Sequence, residues 1–257
     1  MLDGMKAATQ GMMAMSVKQD IIANNLANAS TAGFRKEGLV ISSFTEILDR
    51  EVSSDGMHKA GGEAMMQRDP QVKGTLQHSS QTYLSQGALR ETGNNFDLAL
   101  DDNGKGFFTI QTDRGIEFTR AGTFRLSNDG FLVTAEGHKL LGHNGPIKAT
   151  GNEFKVSDNG TIKVDGKETD RVLVSVFENS EDLQRAGGTA FGSATPKVRA
   201  SNDFKIKQGF KEMSNVNALQ EMVGLMEVMR NFEANQKALS AHDQRLQKAV
   251  SELGRVR

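Results

Sequence analysis

The sequence contains no cysteine and no tryptophan, and Tyr83 is its single tyrosine. The lack of cysteine excludes disulfide bonds, zinc–thiolate sites and cysteine nucleophiles. The shortage of tryptophan and tyrosine removes most of the aromatic anchors that line small-ligand pockets and binding interfaces. A net charge of −1 over 257 residues gives no overall field that would attract nucleic acid or an anionic membrane. Composition therefore favours neither a thiol-dependent protein nor one that binds nucleic acid.

Long hydrophobic runs are also missing. No apolar stretch approaches the ~20 residues that a membrane-spanning helix needs, so we expect no direct membrane insertion. The segment 1–6 lacks a basic region followed by a continuous apolar core, which predicts no cleavable secretory signal. An amphipathic helix on the membrane surface is disfavoured because Lys6 and Lys18 are the few basic residues near this end.

The two ends of the chain share an apolar spacing that alternates between four and three residues. At the N-terminal end the spaced residues are Met1, Met5, Ala8, Met12, Met15, Ile22, Leu26 and Ala29. At the C-terminal end they are Leu225, Val228, Phe232, Leu239, Leu246, Ala249 and Leu253. The polar residues Gln19, Asn235 and His242 interrupt these two rows. This spacing is typical of a coiled-coil seam, although ordinary core helices remain the alternative. The two ends would pair with each other or with other copies.

Local sequence signals predict where the first helix ends and where the second helix begins. Gly33 is placed to adopt the left-handed conformation after the first helix, with Phe34 contacting Ala29. Asn217 is a candidate N-cap of the second helix, with Gln220 as the other half of a capping box.

The middle of the chain changes to a strand-like period. Short alternating or β-branched runs occur within residues 81–210, and glycine-closed turns such as 128–130 and 158–160 separate them. The predicted fold class is α+β, with long N- and C-terminal helices pairing as a coiled coil and a central, mainly antiparallel β domain. The predicted divisions are an N-terminal coiled-coil helix (1–33), an extended connecting arm (34–80), the central β domain (81–210) and a C-terminal coiled-coil helix (211–257).

The candidate catalytic and metal-binding motifs in this sequence lack the neighbouring residues or elements that their chemistry requires. His138 and His143 lie five residues apart in a turn region and do not form a metal signature. The glycines of 104–106 precede a strand instead of linking a strand to a helix, so they are not a phosphate loop. Residues 101–104 lack the spacing and the closing glutamate of a calcium loop. Acidic residues are scattered, so paired-carboxylate catalysis has no support. We predict no enzymatic activity, no cofactor and no metal site.

Four blocks of sequence resemble the bacterial flagellar rod and hook family. In chain order they are 20–35 (DIIANNLANASTAGFR), 89–100 with 106–108, 118–130 with 132–134, and 208–210 and 214–217 with 232–237. Together they span nearly the whole chain. The stretches 140–147 and 246–255 make it look most like the proximal rod members, with distal rod or hook-like members as the alternatives. Two departures from the family pattern are a longer turn at 102–105 and the bulky pair Phe210–Lys211.

The resemblance implies a structural subunit of the flagellar basal-body rod. Such a subunit would assemble helically through its terminal helices around the export channel, since an interface that does not close on itself generates a helical filament. The implied partners are further copies of the chain, other rod proteins and the flagellar type III export apparatus. The implied location is the periplasmic rod of the basal body. A cell-wall glycan-acting or ligand-binding domain on a coiled-coil stalk is the alternative from a different class.

The expected assembly interface combines the apolar rows with polar and turn residues of the family blocks. Its members are Met5, Met12, Ile22, Asn24, Asn25, Leu26, Asn28, Gly33, Phe34, Asn215, Asn217, Leu225, Val228, Phe232, Asn235, Leu239 and Leu246. For the three asparagines of 24–28, two interpretations stay open: a solvated helix end, or hydrogen bonds between subunits.

Overall fold

A computed structural model describes residues 2–43, 76–151, 153–177, 183–193, 199–200 and 204–253. The chain divides into two compact units. The first unit consists of Met1–Ile22, Gly38–Gln81 and Val223–Arg257, and the second of Ala23–Glu37 and Thr82–Met222. Neither helix in the described ranges combines the length and the hydropathy needed to cross a membrane.

The described residues form two helices and nineteen strands. The helices are α1 (Leu2–Ala27) and α2 (Ala218–Leu253). The strands are β1 (Glu37–Ser43), β2 (Leu76–Thr82), β3 (Leu89–Glu91), β4 (Leu98–Asp101), β5 (Gly106–Thr112), β6 (Gly115–Thr119), β7 (Arg125–Leu126), β8 (Leu132–Val133), β9 (Lys139–Gly142), β10 (Gly145–Pro146), β11 (Phe154–Val156), β12 (Thr161–Val164), β13 (Lys167–Arg171), β14 (Val174–Val176), β15 (Gln184–Gly187), β16 (Ala190–Gly192), β17 (Arg199–Ala200), β18 (Lys205–Gln208) and β19 (Phe210–Glu212).

The predicted fold class was wrong in its helical part. The protein is mainly β, with helices of 26 and 36 residues, and no coiled coil of long paired helices is seen in the described part of the chain. The buried positions of α1 are Ala14, Ile22 and Asn25, whereas Met5 and Met12 of the predicted seam are only half-buried. These buried positions follow the stripe of a straight helix with 3.6 residues per turn, not a heptad seam.

In the first unit, the two helices approach each other at glycines. A methyl group added at Gly11 would lie 3.3 Å from Nδ2 of Asn235, and one added at Gly224 would lie 3.5 Å from Cδ1 of Ile22. Small residues allow this local approach without interlocking side chains. The first unit also contains β1 and β2 residues, which belong to a two-stranded sheet. Residues 44–75, which hold most of the predicted connecting arm, lie outside the described residues, and the four-part division of the chain remains a prediction.

The second unit is built on one large sheet with smaller sheets beside it. The order along the large sheet is β15-β16-β6-β5-β9-β8-β7, with β10 on β9 and β14 between β5 and β17. All of its described pairings are antiparallel. Antiparallel pairs also join β11-β12-β13, β18 with β4, and β19 with β3. The last two pairs bring the C-terminal part of this unit beside its earlier strands.

Strand β5 lies in the centre of the large sheet and is covered on both faces. Phe108 and Ile110 belong to the main hydrophobic cluster, while Phe107, which precedes Phe108 and points to the opposite face, belongs to a second cluster. Phe107 meets the rings of Phe177 and Phe191 edge-on, at centroid distances of 5.7 Å. A strand buried on both faces shows a continuous apolar run, which explains why 106–110 does not alternate in sequence.

Two of the predicted glycine turns are confirmed in detail. Gly130 and Gly160 have φ of +79° and +83°, and their N–H groups donate to the carbonyls of Ser127 and Ser157, at 2.9 and 2.8 Å. Only glycine adopts this backbone region without a steric penalty, so the sequence marks these turns directly.

Candidate functional site

Three charged side chains from distant parts of the chain meet in the interior of the second unit. Glu212, in β19, accepts from Nη1 of Arg35 at 2.5 Å and from Nε of Arg120 at 2.9 Å. Arg35 follows the turns after α1, and Arg120 comes directly after β6. All three residues are at most 1% exposed. We call these residues, together with Asp102, the ionic junction.

A second carboxylate completes the junction on the far side of Arg120. Nη1 of Arg120 donates to Oδ1 of Asp102 at 2.8 Å and also to the carbonyl of Gly106. Oδ2 of Asp102 accepts from the N–H of Gly106 at 2.5 Å. The N–H of Gly87 donates to Oε1 of Glu212 at 2.8 Å. The junction therefore contains two cations and two anions, and its carboxylates also anchor the neighbouring backbone.

Arg35 is the least satisfied member of the junction. Burial is the largest influence on its guanidinium and lowers its pKa, against the opposing effect of the Glu212 carboxylate. Its Nε and Nη2 have no hydrogen-bond partner among the described residues. Burying paired charges gives little net stability, but removing one partner leaves an uncompensated charge and is costly. The junction therefore fixes which chain segments lie together more than it adds stability.

Gly33 lets the N-terminal segment lie directly against the strand that ends in the junction. Its N–H donates to the carbonyl of Glu212 at 2.8 Å, and its φ is +70°. A methyl group added here would lie 2.2 Å from the backbone nitrogen of Ala121. The predicted positive φ at Gly33 is confirmed, but the helix ends earlier, at Ala27, because the following residues form hydrogen-bonded turns. The position therefore requires glycine both for its conformation and for the close approach.

Asn25 forms a second set of polar contacts, centred on the backbone of Glu37. Its Nδ2 donates to the carbonyl of Glu37 at 2.8 Å, and its Oδ1 accepts from the N–H of Glu37 at 2.9 Å. Nδ2 also lies 3.3 Å from Oε2 of Glu221, whose Oε1 pairs with Nζ of Lys36 at 2.5 Å. Asn25 is 1% exposed, so its amide is used inside this chain.

Asn215 connects the start of the C-terminal region to two earlier segments. Its Oδ1 accepts from the N–H of Lys36 at 2.7 Å. Its Nδ2 donates to the carbonyls of Tyr83 and Ser85, both at 3.0 Å. An amide that accepts on one side and donates on the other joins three stretches of backbone, so Asn215 is a structural link.

The predicted N-cap of the C-terminal helix is confirmed. Oδ1 of Asn217 accepts from the N–H groups of Leu219 and Gln220, at 3.1 and 3.3 Å. These N–H groups have no partner within the helix, so the cap satisfies donors that the first turn leaves open.

The residues predicted to form the assembly interface fall into three classes of exposure. The buried ones are Ile22, Asn25, Gly33, Phe34 and Val228. The half-buried ones are Met5, Met12, Leu26, Asn28, Asn215, Leu225, Phe232, Asn235, Leu239 and Leu246. The exposed ones are Asn24 and Asn217. The polar and turn residues other than Asn235 lie in the second unit, while the predicted apolar residues of α2 are half-buried except for the buried Val228.

Sequence reasoning missed the charged members of the site. Asp102, Arg120, Glu212 and Glu221 were not among the predicted site residues, and Arg35 entered only as the end of a family block. Charged residues are mostly exposed, so nothing in their local sequence marks them as buried. The available signal was the position of Arg35 and Arg120 beside glycines inside two separate blocks of resemblance.

Replacing Asn25 by alanine should lower the free energy of unfolding by about 2–3 kcal/mol, because the buried amide of Asn25 is lost and both half-buried backbone groups of Glu37 lose their partner. Urea unfolding followed by circular dichroism measures the change. Asn24→Ala is the matched control: Asn24 is exposed on the same helix, and its substitution should change stability by less than about 0.5 kcal/mol. Equal effects of the two substitutions would show that the hydrogen bonds between Asn25 and Glu37 do not contribute to the free energy of unfolding.

Within the second unit, the buried charges of the ionic junction hold the segment after α1 and strand β19 against the other strands. Comparison with known families identifies the class of protein. Residues 5–35 match the family "Flagella basal body rod protein", 103–164 the "Flagellar hook protein FlgE/F/G D1 domain", and 207–252 the "Flagellar basal body rod FlgEFG protein C-terminal".

Individual relatives extend the match over the full length. The chain is 30% identical to the flagellar basal-body rod protein FlgG of Bacillus subtilis, with 98% of this chain and 99% of the relative aligned. It is 29% identical to the flagellar hook-basal body complex protein FlhO of the same organism, with both chains covered completely. Identity to the flagellar basal-body rod protein FlgF of Mesorhizobium japonicum is 33%, over 91% of this chain and 90% of the relative.

The chain belongs to the flagellar basal-body rod and hook family. It is a structural subunit of the basal-body rod and not an enzyme. The prediction from the sequence, a member of this family most like its proximal rod proteins, is confirmed. Family membership also means that the chain assembles with other rod and hook components of the basal body.

Proposed function

We propose that many copies of this chain assemble helically into a segment of the rod around the export channel, and that faces of the two helices form the contacts between copies. The observation that carries this proposal is an exposed apolar face on α2. Val223, Met226 and Met229 are 54%, 52% and 49% exposed, although each would be expected to avoid water. Neighbouring exposed apolar side chains of this kind mark interaction surfaces.

The residues predicted from the sequence fit this proposal in two roles. The half-buried row of α2, which includes Leu225, Phe232 and Leu239, keeps part of its apolar surface accessible to a neighbour. Methionines at the exposed positions suit contacts with slightly different neighbours, because the side chain is flexible and polarizable. The buried members, Asn25 and Gly33, act instead by holding the segments that present these surfaces.

Further partners and the location follow from the same proposal. The rod subunit reaches the periplasm through the flagellar type III export apparatus. In the assembled rod it contacts copies of itself and other rod proteins. Whether it occupies the proximal or the distal layer is tested by electron cryo-tomography of basal bodies from a strain that lacks the chain. The expected result is a rod that stops short without a hook, and its height identifies the layer. A complete rod and hook would contradict the proposal.

A charge placed on the apolar face should block assembly without unfolding the subunit. We expect Met226→Glu to retain the circular dichroism spectrum of the wild type but to fail to restore swimming or rod assembly in that strain, because the glutamate would be buried without a partner. Asn231→Glu is the matched control, since Asn231 is exposed elsewhere on the same helix and already polar. A Met226→Glu variant that assembles like Asn231→Glu would refute the role of this face.

A further inference from the structure

A cavity of about 140 Å³ lies on one face of the large sheet. Ile110 of β5 and Glu117 and Thr119 of β6 line it from the sheet. The turn 187–189, between β15 and β16, and residues from 134–138 form its other walls. Ile110 and Glu117 are directly paired across the two strands, so both side chains point to the same face.

Glu117 is the unusual residue in this cavity. It is only 5% exposed, and its Oε1 pairs with Nη2 of Arg114 at 3.0 Å. Its Oε2 is buried and has no hydrogen-bond partner among the residues that the structure describes. Arg114 is held in place by a bond from Nη1 to the carbonyl of Ala186, at 2.8 Å. A buried carboxylate oxygen without a donor is costly, so this one is an unsatisfied acceptor on a residue that lines the cavity.

Two hydroxyl groups of the lining add acceptor capacity. Oγ1 of Thr119 accepts one hydrogen bond from the N–H of Ala121 at 3.1 Å and donates to the carbonyl of Thr189 at 3.0 Å, with Oγ1 of Thr189 at 3.4 Å, and Oγ1 of Thr134 accepts one from the N–H of His138 at 3.3 Å. A hydroxyl oxygen has two lone pairs, so each of these has one more to offer. The cavity thus presents three acceptors, of which the carboxylate is charged.

The charge of the lining favours a cation. Glu117 and Glu136 outweigh Arg114 by one negative charge when His138 is neutral. A metal ion is a poor match, because no group of three or more histidine, aspartate or glutamate side chains suited to a metal occurs in the described ranges. A primary ammonium group carries one positive charge and three N–H donors, which equals the number of acceptors. Ile110 supplies apolar surface for an alkyl chain next to it.

We infer that this cavity binds a primary alkylammonium group. The group comes either from a lysine side chain of a second copy of this chain or from a small free amine. This inference is independent of the contacts proposed for the helices, because the cavity lies on the β scaffold.

The test measures binding of n-butylammonium chloride to the full chain by saturation-transfer NMR. The neutral analogue n-butanol and the cation tetramethylammonium, which has no N–H group, are the comparison probes. Only n-butylammonium should bind, and it should shift the amide resonances of Thr119 and Gly188. Glu117→Gln should weaken binding about tenfold or more, since the charged acceptor is lost. Glu168→Gln, at an exposed ion-paired glutamate, should leave it unchanged.

Similar signals from all three probes, or an unchanged affinity in Glu117→Gln, would overturn the inference. If Glu117→Gln does not fold, the comparison of probes on the wild-type chain decides by itself. Light scattering then separates the two sources of the ammonium group. Loss of self-association on adding n-butylammonium, but not tetramethylammonium at equal ionic strength, identifies a lysine of a second copy. Unchanged self-association with intact n-butylammonium binding identifies a free amine.

Discussion

Replacing Glu212 by glutamine should lower the free energy of unfolding by roughly 3–5 kcal/mol, although the two side chains have nearly the same size. The carboxylate faces Arg35 and Arg120 at 2.5 and 2.9 Å, and all three residues are buried. The neutral amide leaves both guanidinium groups without their shared anion in a medium where water cannot replace it. Urea unfolding of the full chain, followed by the β signal in circular dichroism, measures the loss.

The control for this prediction is Glu168→Gln. Glu168 pairs with Lys163 at 3.3 Å, but its side chain is 68% exposed, so the same substitution should cost less than about 1 kcal/mol. A double variant, Glu212→Gln with Arg35→Met, sharpens the test. Arg120 keeps its ion pair with Asp102, so Arg35 is the cation left without a partner, and removing it should recover part of the lost stability, which gives a non-additive cycle. Equal losses in both single variants, or strict additivity in the cycle, would contradict the assigned role of the junction.

Gly33→Ala should also be strongly destabilising, by roughly 2–5 kcal/mol, from two separate causes. The first is the left-handed backbone, with φ of +70°. The second is the collision of the new methyl group with the backbone of Ala121, which cannot move aside as a side chain would. Gly93→Ala isolates the first cause, because Gly93 has φ of +71° and no atom within 4 Å of an added methyl group.

The difference in the free energy of unfolding between Gly33→Ala and Gly93→Ala therefore measures the effect of the steric collision alone. Gly93→Ala should cost about 1–2 kcal/mol, and Gly33→Ala clearly more. Thermal or urea unfolding of both variants provides the comparison. If the two substitutions cost the same, the segment around Gly33 can shift away from Ala121, and the close contact is not needed to hold the N-terminal segment in place.

The residues of the ionic junction lie in or next to separate parts of the family pattern. Arg35 belongs to the first block, Gly106 to the second and Arg120 to the third. Glu212 lies between the first two parts of the last block, and it pairs with residues 177 and 92 positions earlier in the chain. Residues in or next to blocks that are far apart in sequence thus form one site in the structure. Within the second unit, this site holds the segment after α1 and strand β19 against the other strands.

Several features could be predicted from the sequence alone because they depend on the chemistry of a few neighbouring residues. Glycine at the ends of 128–130 and 158–160 predicts turns because few other residues adopt positive φ, and Asn217 predicts a helix start because its side chain can cap free N–H groups. The order of the family blocks identified the class of protein. All of these signals depend on a few neighbouring residues or on matching stretches, so no knowledge of distant contacts was needed.

Tertiary structure alone decided the rest. A heptad seam and the stripe of a straight helix differ by only about 20° per seven residues, so over the 26 residues of α1 apolar spacing could not separate them. Packing selected Ala14, Ile22 and Asn25 as the buried positions, and the predicted coiled coil was wrong. The burial of Arg35, Arg120 and Glu212 could not be predicted from the sequence either. A charged side chain is buried only when opposite charges lie next to it, and here those charges come from distant segments of the chain. The sequence by itself determined the turns, the cap and the family of this protein, while the fold determined which charged residues join distant segments inside the second unit.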